Sequence, residues 1–270
     1  MVLVRPRNPL NIGAAARAMA NFGLSRLCVV SPFEPHWREA RSAIGAPDLL
    51  QNAKETESLA EAVADCSLVL GTGTLTYRKP EQEVVTLPAL GPRIASELAR
   101  GGRIALVFGP ENHGLTREDL SRCHLLVEIP TDSRQPSMNL GQAVAVCLYE
   151  LAARAFPLPA GAGQGIPPET PVPGAGQPEP GPAQPVPAAL SGSLDLLAGV
   201  VEQTMQAAGY SPRSMQAANR HDLRLLLRRL HLNQRDVRRI LGLFRRVLWR
   251  LNNSRHWPRH GPRPRPEDTD

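Results

Sequence analysis

Short apolar runs and longer helical patterns alternate along the first half of the chain. The runs cover residues 2–5, 27–31, 67–71, 103–108 and 124–129. Between them, apolar residues recur every three to four positions over residues 11–22, 49–64, 88–100, 116–122 and 140–155. An unbroken apolar run of this kind is a strand covered on both faces, and the longer period is a helix with one face toward a core. Strands alternating with helices predict an α/β domain over residues 1–156, a mostly parallel sheet flanked by helices. Such sheets bind ligands at the carboxyl ends of their strands, so the loops leaving the strands are where chemistry is expected.

The pattern breaks at Pro157. Residues 157–189 are dense in Pro, Gly, Ala and Gln, with almost no large apolar side chains. That composition cannot offset its chain entropy and predicts an extended linker. Helical patterning resumes over residues 190–255. Leu194, Leu197, Val200, Val201, Thr204 and Met205 recur at helical spacing as one stripe, and Leu223, Leu226, Leu227 and Leu230 make a second. Val237, Ile240, Leu241, Phe244, Val247, Leu248 and Leu251 make a third. Asn233, with Asp236 three residues on, is the expected cap of the last helix. Three such helices predict a small all-α bundle that folds apart from the first domain. Residues 256–270, rich in Pro and Arg, predict a disordered tail.

Composition sharpens this picture. Aromatic residues are only 4% of the 270, so the cores must be built from Leu, Val, Ile and Ala. The formal net charge of +6 suits a polyanionic partner. The last helices carry many arginines and few acids, and charge so one-sided points to phosphate contact. Arg224, Arg228, Arg235, Arg239 and Arg246 are the candidates. Cys28, Cys66, Cys123 and Cys147 are dispersed without a C-x-x-C pair. They predict buried thiols in a reducing cytoplasm, neither a disulfide framework nor a metal site. The opening apolar run is too short for a signal peptide or a membrane span, so a cytoplasmic protein with no membrane partner is expected.

Four strand-end loops carry polar residues. The first is R-P-R-N-P-L-N-I-G-A-A-A-R, where Asn11 is placed to cap a helix, Gly13 permits close approach and Arg17 can swing toward the strand ends. The second, G-T-G-T, lacks the third glycine of a dinucleotide fingerprint and no helical pattern follows it, which disfavours a nicotinamide-dependent oxidoreductase. The third, F-G-P-E-N-H-G-L, holds Glu111 and His113 in a tight turn. In the fourth, P-T-D-S-R-Q-P-S-M-N-L-G-Q-A-V, Ser137 or Asn139 can cap the next helix. Singly, each is compatible with an ordinary turn and cap.

In this order they are more specific. Asn11, Gly13 and Arg17, then F-G-P-E-x-x-G-L, then S-M-N-L-G-Q-A-V resemble the three motifs of the SpoU/TrmH-type RNA methyltransferases of the SPOUT superfamily. The likeness runs over residues 2–151, and the C-terminal helices are similar to the tail domain of the TrmJ branch. The resemblance implies a trefoil-knotted sheet, a homodimer and S-adenosyl-L-methionine as methyl donor. The acceptor it implies is the ribose 2′-hydroxyl of tRNA, at nucleotide 32 of the anticodon loop. It places the cofactor among Thr72, Gly73, Thr74, Gly109, Ile129, Ser137, Met138 and Leu140, where small residues allow backbone approach and Ile129, Met138 and Leu140 give apolar walls for adenine. It makes Arg17, Asn11, Glu111, Ser137 and Asn139 the catalytic set, without a metal. Guanidinium hardly deprotonates, so Arg17 is expected to stabilise the developing alkoxide and hold a phosphate. Asn11 would position Arg17 and the ribose, and Glu111 would orient Arg17 or the neighbouring loops. The alternatives are the same reaction on ribosomal RNA and a non-catalytic RNA-binding protein of this fold.

Overall fold

The computed structural model describes residues 1–73, 80–155 and 187–253. Thr74, nearly all of the expected linker and the whole expected tail lie outside these residues. The strands are β1 (Val2–Val4), β2 (Cys28–Val30), β3 (Lys54–Thr56), β4 (Leu68–Thr72), β5 (Val84–Thr86), β6 (Ile104–Phe108) and β7 (Leu125–Glu128). They form one seven-stranded sheet in the order β3-β2-β1-β6-β4-β7-β5, with every pair parallel. Alternate side chains leave opposite faces. Leu3, Val29, Leu70 and Phe108 therefore enter one core, while Val2, Val4, Val30, Val69 and Val107 enter the other. The first core is covered by α1 (Pro9–Asn21), α4 (Gly91–Ala99) and α6 (Leu140–Leu148). The second takes Leu59 of α3 (Leu59–Ala62) and the segment around α5 (Arg117–Leu120).

Two elements depart from the expected pattern. β3 (Lys-Glu-Thr) and β5 (Val-Val-Thr) are short edge strands with mostly exposed side chains, so they carry no apolar run. The helix expected over residues 49–64 is instead α2 (Pro47–Gln51), β3 and α3. Ser58 breaks it, because its hydroxyl accepts from Glu61 N at 3.2 Å and starts α3 anew. At the first helix the cap is Asn8, whose side chain accepts from Leu10 N at 2.9 Å ahead of Pro9. Asn11 lies inside α1 and its amide is free for other work. α6 continues as a π-helical segment, Tyr149–Ala155.

The C-terminal helices are α7 (Ser191–Ala207), α8 (Gln216–Arg229) and α9 (Gln234–Asn253), packed around Leu194, Leu197, Val201, Leu227 and Val237. Asn233 accepts from Arg235 N and Asp236 N at 2.9 and 3.0 Å, as its position predicted. The bundle does not hang free of the sheet. Ser191 N donates to Cys66 O at 2.8 Å and Gly192 N to Ala64 O at 3.0 Å. Arg228 is 2% exposed; its guanidinium donates to Asp195 Oδ1 and to Arg122 O, both at 2.9 Å. Arg122 reaches the other Asp195 oxygen at 2.7 Å. Arg224 pairs with Glu118 of α5. Arg228 and Arg224, expected at phosphates, are thus spent on joining the two domains. An arginine stripe in the sequence does not reveal an acid waiting 33 residues away.

Candidate active site

The loops after β4, β6 and β7 open onto one cleft of about 280 Å³. Thr72 and Gly73 come from the first loop, Gly109 to Gly114 from the second, and Ile129, Ser137, Met138 and Leu140 from the third. Seven of the eight residues expected at a cofactor therefore meet at one place; the eighth, Thr74, lies outside the described residues. Thr72 is buried and its hydroxyl donates to Val107 O at 2.9 Å, so it offers the cleft backbone and not a hydroxyl. The loop after β6 closes tightly. Gly114 has φ +63° and donates to Pro110 O at 2.9 Å. A Cβ on Gly109 would stand 2.3 Å from Gly114 C and Leu115 N, so only glycine fits.

A chain of side-chain hydrogen bonds ties the motif loops together. Glu111 accepts from Arg7 N at 3.0 Å, Asn8 N at 3.2 Å and Asn11 Nδ2 at 2.8 Å. Asn11 Oδ1 accepts from Asn139 Nδ2 at 2.9 Å, and Asn139 Oδ1 caps α6 through Gly141 N and Gln142 N at 2.9 and 3.4 Å. The chain needs α6 to lie hard against α1. Gly141 permits it, since a Cβ there would be 2.7 Å from Ala14 Cβ. Partial desolvation pushes the Glu111 carboxyl up. The donors from Asn11, Arg7, its own N–H and Asn8 outweigh that and hold it below the ordinary carboxyl value. Glu111 is therefore a charged anchor for neighbouring loops, and its bonds do not include Arg17.

Arg17 is exposed on α1 and does not line the cleft. Among the described residues its side chain makes no hydrogen bond or ion pair. Asn11 does not position it; the two lie on different sides of the helix, six residues apart at 100° per residue. Ser137 lines the cleft and Asn139 acts as the cap. Glu128, Thr131, Asn112 and His113 also line the cleft. Only their place at strand ends marked them in the sequence. Nothing there marked Arg5 and Asp119. Arg5 takes a left-handed φ of +46° just after β1 and pairs through its two terminal guanidinium nitrogens with buried Asp119. Asp119 also closes a capping box with Thr116 at the start of α5. The loop bearing Arg7 and Asn8 is thereby held from α5 as well as by Glu111.

The cysteines are buried and free, and burial raises Cys66, Cys123 and Cys147 to about 12, which leaves them unreactive. Among the described residues one group, Glu81, His221 and Asp222, is close enough to share a metal. Arg117 already occupies it, donating to His221 Nε2 at 3.2 Å and lying 3.6 Å from Glu81. No helix among the described residues is long and apolar enough to cross a membrane. Arg235, Arg239 and Arg246 are exposed on α9.

Residues 1–149 match the model of the SpoU rRNA Methylase family. A Pseudomonas aeruginosa protein named tRNA (cytidine/uridine/adenosine-2'-O-)-methyltransferase TrmJ is 44% identical over 157 residues, 56% of this chain and 59% of that one. The match thus spans under two thirds of that relative. Along nearly the whole length, a Cronobacter sakazakii tRNA (cytidine/uridine-2'-O-)-methyltransferase TrmJ is 32% identical over 264 residues, 95% of this chain and 96% of the other. The crystal structure of TrmJ from Z. mobilis ZM4 superposes with a TM-score of 0.73 at 28% identity, covering 91% of this chain and 97% of that one.

Proposed function

The chain belongs to the SpoU methylase family, and from that premise we propose that it is an S-adenosyl-L-methionine-dependent tRNA 2′-O-ribose methyltransferase of the TrmJ kind. The observation that carries the proposal is the hydrogen-bonded chain Glu111–Asn11–Asn139, which ties the first motif loop to the two motif loops that border the cleft. The cleft suits the donor. Ile129, Met138 and Leu140 give it apolar surface, and Met138, 38% exposed, offers that surface to a ligand. Among the described residues nothing lies within 4 Å of where a Cβ on Gly73 would stand, which suits close approach of a ligand there. When bound, the sulfonium donor supplies an electrophilic methyl group with a good leaving group behind it.

The protein's own task is then to place a ribose oxygen in line and to favour its ionised form. Arg17, with no partner of its own among the described residues, is the cation for that oxygen and the adjoining phosphate. Guanidinium keeps its proton, so the hydroxyl proton leaves to water or to phosphate. Because Arg17 does not line the cleft of its own chain, we propose that a second copy brings the two together. α1 and α6 pack on each other; Leu10 on α1 and Tyr149, just after α6, remain exposed and would meet the second copy. Light scattering should give twice the 29.3 kDa chain mass. A monomer at every concentration would contradict this.

The exposed arginines of α9 support RNA as substrate. The acceptor is tested by offering labelled S-adenosyl-L-methionine with either an unmodified tRNA transcript or a ribosomal RNA fragment. Label is expected in the tRNA as a 2′-O-methyl nucleoside. Label confined to the ribosomal fragment would move the activity to ribosomal RNA, and no label in either would leave a non-catalytic binder.

A further inference from the structure

α9 has two unlike faces. Val237, Ile240, Leu241, Phe244, Leu248 and Leu251 fall on one side, and the first four of them pack into the bundle core. At 100° per residue, Arg235, Arg238, Arg245, Arg246 and Trp249 fall within about 60° of one line on the far side. All five are exposed. Gly242 lies on the same line and leaves open space, with nothing within 4 Å of its would-be Cβ. The acid in this helix, Asp236, lies off the line.

Trp249 is out of place there by the usual rule. A large aromatic on a packed helix belongs on the apolar face. This one stands 57% exposed at the end of the arginine line, with the Arg246 guanidinium 5.9 Å from its ring centroid. Its backbone is fixed at the helix end, where Asn253 Nδ2 donates to Trp249 O at 2.8 Å. A cationic track ending in an open aromatic ring is the arrangement that follows a phosphate backbone and stacks a base. Charge complementarity therefore selects a polyanion as the occupant over a second copy of this basic chain.

We infer that Trp249 is a stacking site for an unpaired nucleobase of the RNA substrate, with Arg235, Arg238, Arg245 and Arg246 leading the backbone to it. The inference rests on the RNA reading above. It is tested with the full chain, titrating an RNA stem-loop and a fully paired duplex of equal phosphate number. Trp249→Ala is expected to weaken the stem-loop by about tenfold and leave the duplex unchanged, because a paired base cannot stack on the ring. Trp249→Phe should keep most of the affinity. Arg245→Ala should weaken both RNAs and lower the salt slope by about one. The side chain is exposed on the face away from the bundle core, so an unchanged Tm checks that the variants are folded. Equal loss on both RNAs, or no loss on the stem-loop, would overturn the inference. So would an altered oligomeric state with RNA affinity intact, which would make this face a contact between copies. If the wild type methylates tRNA and Trp249→Ala binds the stem-loop normally, only this inference fails; if the wild type binds neither RNA, the RNA reading falls as well.

Discussion

Glu111 works through bonds that need its charge. Its oxygens accept from three residues of the first loop. An amide in its place must turn an NH₂ toward an N–H donor. Glu111→Gln should therefore lower Tm at pH 7, by roughly 2–4 °C for each kcal/mol lost in a chain of this size. The pH dependence has a definite sign. The folded carboxyl lies below its ordinary value of 4.5, so its contribution is complete above that pH and is lost as pH falls through the folded value. The gap in Tm between wild type and variant should close below about pH 4.5 in calorimetric scans across pH. A gap that persists into acid would show that shape, not charge, holds the loop. Arg17 is a different kind of residue, since its side chain makes no hydrogen bond or ion pair among the described residues. Arg17→Ala should reduce methyl transfer by about 10²-fold or more while the Kd for S-adenosyl-L-methionine stays the same. Retained transfer would remove it from the chemistry.

At the scale of elements, the short helix α5 ties three regions of the protein together. Asp119 holds Arg5 and the first loop, while Glu118 and neighbouring Arg122 hold the C-terminal bundle. Asp195 neutralises Arg228, whose side chain is almost wholly buried. Removing one partner of a buried pair costs roughly 3–5 kcal/mol. Asp195→Ala should accordingly free α7 and α8 from the sheet, seen as faster hydrogen exchange there, and Asp195→Leu with Arg228→Met should restore protection. Unchanged exchange in Asp195→Ala would mean that the backbone bonds from Ser191 and Gly192 suffice. The same elements mark what the sequence could convey. The five inner strands are apolar runs because both faces are covered, and they are legible for that reason. β3 and β5 are edge strands whose Lys54, Glu55 and Val84 face solvent, so they lack the signal. The cap expected at Asn11 falls instead to Asn8, because Pro9 takes the first helical turn.

For the whole molecule, the cleft was readable before its bonds were. Parallel strands send their loops to one end, so residues in three separate motifs could be assigned to one site without knowing any contact. Which of them touch was not readable. Asn11 and Asn139 are 128 residues apart, and their bond depends on the close approach of Gly141 to Ala14. The docking of the bundle was unreadable for a similar reason: Asp195, Arg224 and Arg228, which join it to the sheet, look like surface charges one at a time.

The measurement that bears most directly on the account is the position of the methyl group. After reaction of the full-length protein with S-adenosyl-L-methionine and an unmodified tRNA transcript, the product is mapped nucleotide by nucleotide. The expected result is a single methyl on the ribose 2′-oxygen of nucleotide 32 in the anticodon loop. A methyl on a base, or none on tRNA while the protein binds the donor, would contradict it.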